Sequence, residues 1–161
     1  MLLGLDYKRK EYYKPMEIFK QYNNNPNNLF TQDCVIRALT SFLNKPYNEI
    51  VDDLVSIYKQ TGFHIADPVC FFYYLNNLSN LITIDVDLAN RIQLKTLCTD
   101  IINKDFSNWK ILNENNTNKV LAFLGNTHLT CLHSGIIYDI WDCSNENINK
   151  IYIFKGDEFS L

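Results

Sequence analysis

With 161 residues, 47% of them hydrophobic and 14% aromatic, the chain can bury one core of ordinary size. Fifteen Lys and Arg against 18 Asp and Glu leave a net charge of -3, so no broad cationic field exists to hold a phosphate backbone, and nucleic acid is not an expected partner. Apolar runs fall short of the roughly 18 residues a membrane span needs, and the opening MLLGLDYKRK meets an acid at Asp6, too early for the apolar heart of a signal peptide; a cytoplasmic protein is expected.

In chain order, residues 1–30 mix Lys, Tyr and Asn and close on YNNNPNNLF, which reads as an N-terminal extension or loop of one domain spanning residues 1–161. TQDCVIRALTSFLNKP then places Val35, Ala38, Leu39 and Phe42 on one helical face, with Thr31 or Asp33 as its cap. KPYNEIVDDLVSIYKQTG predicts a second helix, with Pro46 at its first position and Gly62 as its stop. DPVCFFYYLNNL opens as a third helix, although its aromatic run also suits a strand. LITIDVDL is β-branched and reads as a strand, whereas IQLKTLCTDIIN has helical spacing through Ile92, Leu94, Leu97, Cys98 and Ile101. From Lys119 the pattern changes to short apolar runs, KVLAFLG, HLTCL, IIYDIWDC and KIYIFK, an expected antiparallel meander. The Asn-rich pieces near 113–118 and 145–149 read as surface loops. Helices first and strands last predict an α+β fold.

Two segments carry chemistry. Cys34 stands in the first turn of the best amphipathic helix, where unpaired backbone N–H groups and the positive end of the helix dipole favour a thiolate and can stabilise an oxyanion. A packed, inert cysteine is the competing reading there. The second segment is NTHLTCLHSGIIYDIWDCSN, residues 126–145. If His133, Ser134 and Gly135 form a three-residue turn, Leu132 faces Ile136, His128 faces Ile140, and Asp142 shares the face of His128 while Asp139 falls on the other. A two-residue turn shifts the register by one and separates His128 from Asp142.

The order of a cysteine opening an N-terminal helix, then a histidine on one strand and an aspartate on the next, resembles the papain-like cysteine peptidases. More narrowly, DCVIRALTSFLNKPYNEIVDDL followed by HLTCLHSGIIYDIWDCSN is similar to a group of small, mostly uncharacterised papain-like proteins of bacteriophages and bacteria. The resemblance implies N-terminal helices that carry the cysteine, packed on a C-terminal antiparallel sheet that carries the histidine and the acid. It also implies Cys34 as nucleophile, His128 as general base and Asp142 as the residue orienting the imidazole, in a peptidase or isopeptidase that acts on a protein or peptide through an acyl-enzyme and needs no cofactor. Papain-like peptidases carry a glutamine six positions before the cysteine; Asn28 stands there in this chain, and Gln32 is the expected oxyanion donor instead.

Rival readings remain open at this level. The same scaffold can act as a non-catalytic binding module, or the same triad as an acyltransferase or amidase. A zinc site from His128, Cys131, His133 and Cys143 has no knuckle spacing to support it, and no metal is expected. His64 and His133 read as surface histidines. Tyr138 and Trp141 read as packing residues, with Trp141 placed to shield the histidine–carboxylate bond.

Overall fold

The computed structural model describes residues 17–115 and 117–156, and these form an α+β fold with a six-stranded mixed sheet. The strands are β1 (Phe19–Gln21), β2 (Leu81–Asp85), β3 (Lys119–Leu124), β4 (His128–His133), β5 (Ile136–Asp139) and β6 (Ile148–Phe154). The helices are α1 (Cys34–Leu43), α2 (Tyr47–Thr61), α3 (Pro68–Asn76), α4 (Leu94–Ile102) and α5 (Lys110–Asn115), with a 3-10 turn at Leu88–Asn90. None of these helices is long and apolar enough to cross a membrane.

Helix ends follow local chemistry. Gly62 takes a positive φ of 78° and its N–H closes α2 on the Tyr58 carbonyl, while the Asp67 carboxylate accepts from the Val69 N–H to start α3. The aromatic run in α3 is settled as a helix by the burial of Cys70, Phe71, Tyr74 and Leu75, a period that a strand cannot satisfy. Ile92 falls outside α4, where its carbonyl instead accepts from Ile148 N–H. Part of the expected loop at 113–118 is the end of α5.

The sheet order is β1-β5-β4-β3-β6-β2. β3, β4 and β5 form the expected antiparallel neighbours, but β6 crosses back to pair with β3 and brings β2 in as an edge strand, so the meander does not run on to its end. Nor is the sheet wholly antiparallel. β1 lies parallel to β5, and thus part of the expected N-terminal loop is a strand; residues 1–16 of that segment lie outside the described residues. Alternation along β3 divides the interior. Leu121 and Phe123 face the core shared with α1, α2 and α3, whereas Val120, Ala122 and Leu124 face the core shared with α4 and Trp109.

The β4–β5 turn differs from the three-residue expectation. It holds two residues, Ser134 and Gly135, with φ of 52° and 81°, the conformation that matches the twist of a tight hairpin. Leu132 therefore faces Ile137 and His133 faces Ile136, one position away from the expected register. Gly135 is required twice over. Its φ is left-handed, and a Cβ there would stand 2.9 Å from the Cys98 carbonyl oxygen and 2.8 Å from Ile102 Cγ1. Gly135→Ala is expected to destabilise the fold by roughly 1–3 kcal/mol, read from the shift in a denaturant midpoint; Gly125→Ala, with open space around its Cβ, is the comparison and is expected to cost less.

Candidate functional site

The one-residue change in register decides which acid meets the histidine. Carried past its last backbone pair, Cys131 with Tyr138, the ladder sets Thr130 opposite Asp139 and His128 opposite Trp141. All four then share one face, with Asp139 diagonal to His128. The contacts agree: His128 Nε2 lies 2.7 Å from Asp139 Oδ2, Thr130 Oγ1 donates to the same oxygen at 2.7 Å, and the Trp141 ring lies 4.9 Å from the His128 ring. The expected pairing of His128 with Asp142 is thus corrected. Asp142 is exposed, beyond the end of β5, and accepts from the Ser144 N–H at 3.0 Å.

Cys34 opens α1 as expected, half-buried, and stands near enough to His128 for each to shift the other's titration. Asp33 occupies the cap position yet makes no cap bond. Its carboxylate turns instead to Arg37 Nε at 2.7 Å, the Tyr47 hydroxyl at 2.7 Å and Asn25 Nδ2 at 2.9 Å, so no Asp33 oxygen occupies the N–H groups beside Cys34. Arg37, one turn on, donates from Nη1 to Asp139 Oδ1 at 2.9 Å, across 102 positions of chain. The guanidinium therefore ties the helix that carries the thiol to the strand that carries the acid. Gln32 is exposed and makes no hydrogen bond among the described residues; Asn28 is also exposed, at a positive φ of 56°.

Burial and partners compete at each ionisable group. Burial works to raise the Cys34 thiol, but its hydrogen bond with His128, the Leu129 backbone and the charges of His128 and Arg37 hold it below its ordinary value. Burial works against a charged His128, yet the bonds to Asp139, Cys143 and Cys34 and the charge of Asp139 push it up to about 11. Asp139, which burial alone would raise, is brought down to about 2 by His128, Arg37 and Thr130. Burial raises the four remaining thiols, Cys70, Cys98, Cys131 and Cys143. The two shifts run in the direction that favours a thiolate beside an imidazolium.

Of the four residues weighed for zinc, the fold gathers only His128 and Cys143, and adds Asp139; one donor atom from each falls within 4.8 Å of the others. Two ligands of a tetrahedral zinc, each about 2.0–2.2 Å from the ion, stand about 3.3 Å apart, so a metal enters here only by parting the His128–Asp139 bond. Cys131 belongs to the opposite core, and His133 is exposed at the end of β4. His64 is likewise exposed, its Nδ1 accepting from the Ala66 N–H at 3.1 Å. Asp139, Arg37 and Thr130 are the site residues that the sequence reading missed; a Ser-Gly pair treated as a two-residue turn is the signal that leads to Asp139.

The buried pairs carry a pH signature. His128, raised from 6.5, contributes stability that is complete below that value and lost as pH rises toward about 11; Asp139, lowered from 3.8, contributes stability present above that value and lost as pH falls toward about 2. The pair therefore stabilises most between about pH 4 and 6.5. Arg37→Met leaves two buried carboxylates, Asp33 and Asp139, short of a partner and is expected to cost roughly 3–5 kcal/mol by urea denaturation at pH 7. A loss under about 1 kcal/mol would show that the guanidinium does not hold this site together.

The chain matches no protein-family model, no curated protein and no solved structure, so its chemistry is inferred from the residues themselves.

Proposed function

We propose that the protein is a papain-like thiol hydrolase, a peptidase or isopeptidase, with Cys34 as nucleophile, His128 as general base and acid, and Asp139 as the carboxylate that orients the imidazole. One observation carries this reading: the His128 ring is held at Nε2 by a buried carboxylate, beside a thiol at the start of a helix. With Nε2 engaged, Nδ1 is the nitrogen that serves the thiol. The lowered Cys34 and raised His128 favour the ion pair in which the nucleophile is already deprotonated.

The sulfur of Cys34 attacks the amide carbonyl carbon, and the carbonyl electron pair moves to oxygen. That oxyanion sits against the Cys34 backbone N–H, which the cap residue leaves free of a side-chain acceptor. As the C–N bond breaks, imidazolium His128 delivers its proton to the departing amine, leaving a thioester. Water then attacks the thioester while His128 takes its proton; the C–S bond breaks, the acid product leaves, and the thiolate–imidazolium pair is restored. Asp139 stays ionised throughout, held there by Arg37. Trp141, 42% exposed with its ring against His128, covers the pair on the solvent side.

Iodoacetamide labelling followed by peptide mass mapping tests the nucleophile. At pH 6, Cys34 is expected to react at least about tenfold faster than any of the other four cysteines, all of which are buried and raised. Equal rates across pH 5 to 8 would overturn the assignment. A pooled library of fluorogenic peptide amides is expected to be cleaved by the wild-type chain and not by Cys34→Ala.

A further inference from the structure

Alongside α1 runs a groove that the catalytic reading does not use. Tyr22, Asn24, Ser41, Lys119, His133 and Tyr138 are among its walls, with Lys45 at its far end, and its volume is about 590 Å³. A narrow pocket lined by Cys34, Arg37 and Asp139 abuts it and shares Tyr22, Asn24, Ser41, Cys131 and Tyr138 with it. The groove therefore begins behind the thiol and follows the helix away from it.

Its charge is one-sided in a chain whose net charge is -3. No Asp or Glu stands among the described residues that line it, whereas Lys45, Lys119 and His133 do. Lys45 is matched by Asp53 at 3.4 Å and Glu49 at 3.9 Å. Lys119 is not matched: its Nζ donates to the Ser41 carbonyl at 3.0 Å, and it has no carboxylate partner among the described residues. Across the ladder Lys119 faces His133, so two basic side chains stand directly opposite on one face, an arrangement that costs stability when both are charged and that an anion relieves. Asn24 adds polarity: its Nδ2 donates to the Arg37 carbonyl and Ser41 Oγ, while its buried Oδ1 has no partner.

We infer that this groove is a substrate subsite that takes the carboxylate of an Asp or Glu side chain in the polypeptide cleaved at Cys34. The inference rests on the thiol hydrolase reading for its orientation and on the groove for its chemistry. Lys119 reaches α1 at Ser41, seven positions beyond Cys34, or about 10 Å along the helix at 1.5 Å per residue. An extended chain covers that distance in about three residues at 3.3 Å each. The preferred acid therefore lies about three positions from the attacked carbonyl. Phenol and amide groups of Tyr22, Tyr138 and Asn24 flank the path between.

The test separates binding from catalysis. Full-length Cys34→Ala protein is titrated, by fluorescence anisotropy at low salt, with two pools of labelled octapeptides that differ only in carrying Glu or Gln at one position. The Glu pool is expected to bind about tenfold tighter than the Gln pool, with the difference lost in Cys34→Ala/Lys119→Gln, kept in Cys34→Ala/Lys119→Arg, and reduced by added salt. Equal binding of the two pools, or a Glu preference that survives Lys119→Gln, overturns the subsite. Cys34 labelling in the single variant Lys119→Gln, at the wild-type rate, shows that the thiol site is intact, so that a lost Glu preference belongs to the groove. Slow Cys34 labelling in the wild type overturns the hydrolase reading and leaves the binding result standing by itself.

Discussion

Asp139 is 2% exposed and carries a charge. An isolated carboxylate at that depth would cost several kcal/mol and would take up a proton instead. It does not, because donors converge on both oxygens: Arg37 at 2.9 Å and the Ile140 N–H at 2.7 Å on Oδ1, His128 and Thr130 each at 2.7 Å on Oδ2. The rest of the site follows from that arrangement. An ionised Asp139 holds the titration of His128 up, His128 in turn holds the Cys34 thiol below its ordinary value, and the Arg37 that neutralises Asp139 is rooted one turn along the helix that presents the sulfur.

A network of this kind adds specificity of arrangement more than stability. Buried ion pairs return little over a well-packed apolar core, but they penalise heavily any structure that leaves one member alone. Arg37 is held by Asp33 and Asp139 together, and Asp33 by Tyr47 and Asn25, so a slipped β5 or a rotated α1 would strand several buried polar groups at once. The hairpin is constrained from the other side of the sheet as well. Gly135 packs so closely on α4 that a side chain there would press on the Cys98 carbonyl and on Ile102.

How far this could be read in the residues depends on the distance over which each signal acts. Helices α1 and α2 were legible, since Ala38, Leu39 and Phe42, or Ile50 and Leu54, repeat within a single turn, and Asp67 and Gly62 punctuate locally. Cys34 at a helix start was legible for the same reason. The partner of His128 was not. Its identity turns on whether His133 belongs to the turn or to the strand, a difference of one residue that inverts every side chain beyond it, and both Asp139 and Asp142 were present to satisfy either choice. Arg37 reads as an ordinary helix residue until a carboxylate 102 positions away arrives beside it. Strand β1 is three residues, Phe-Lys-Gln, without alternation to announce it; it exists because the edge of β5 offers it a ladder.

Asp139, not Asp142, is the group that keeps the imidazole charged and, through it, holds the thiol below its ordinary value. The direct measurement is the rate of Cys34 alkylation at pH 6 in Asp139→Asn and in Asp142→Asn, each against the wild-type chain, with circular dichroism to confirm that both fold. Removing the Asp139 charge is expected to slow alkylation by about tenfold or more, the effect of one pKa unit, and removing that of Asp142 to change it by less than about twofold. Equal slowing in the two variants, or a larger loss in Asp142→Asn, would contradict it.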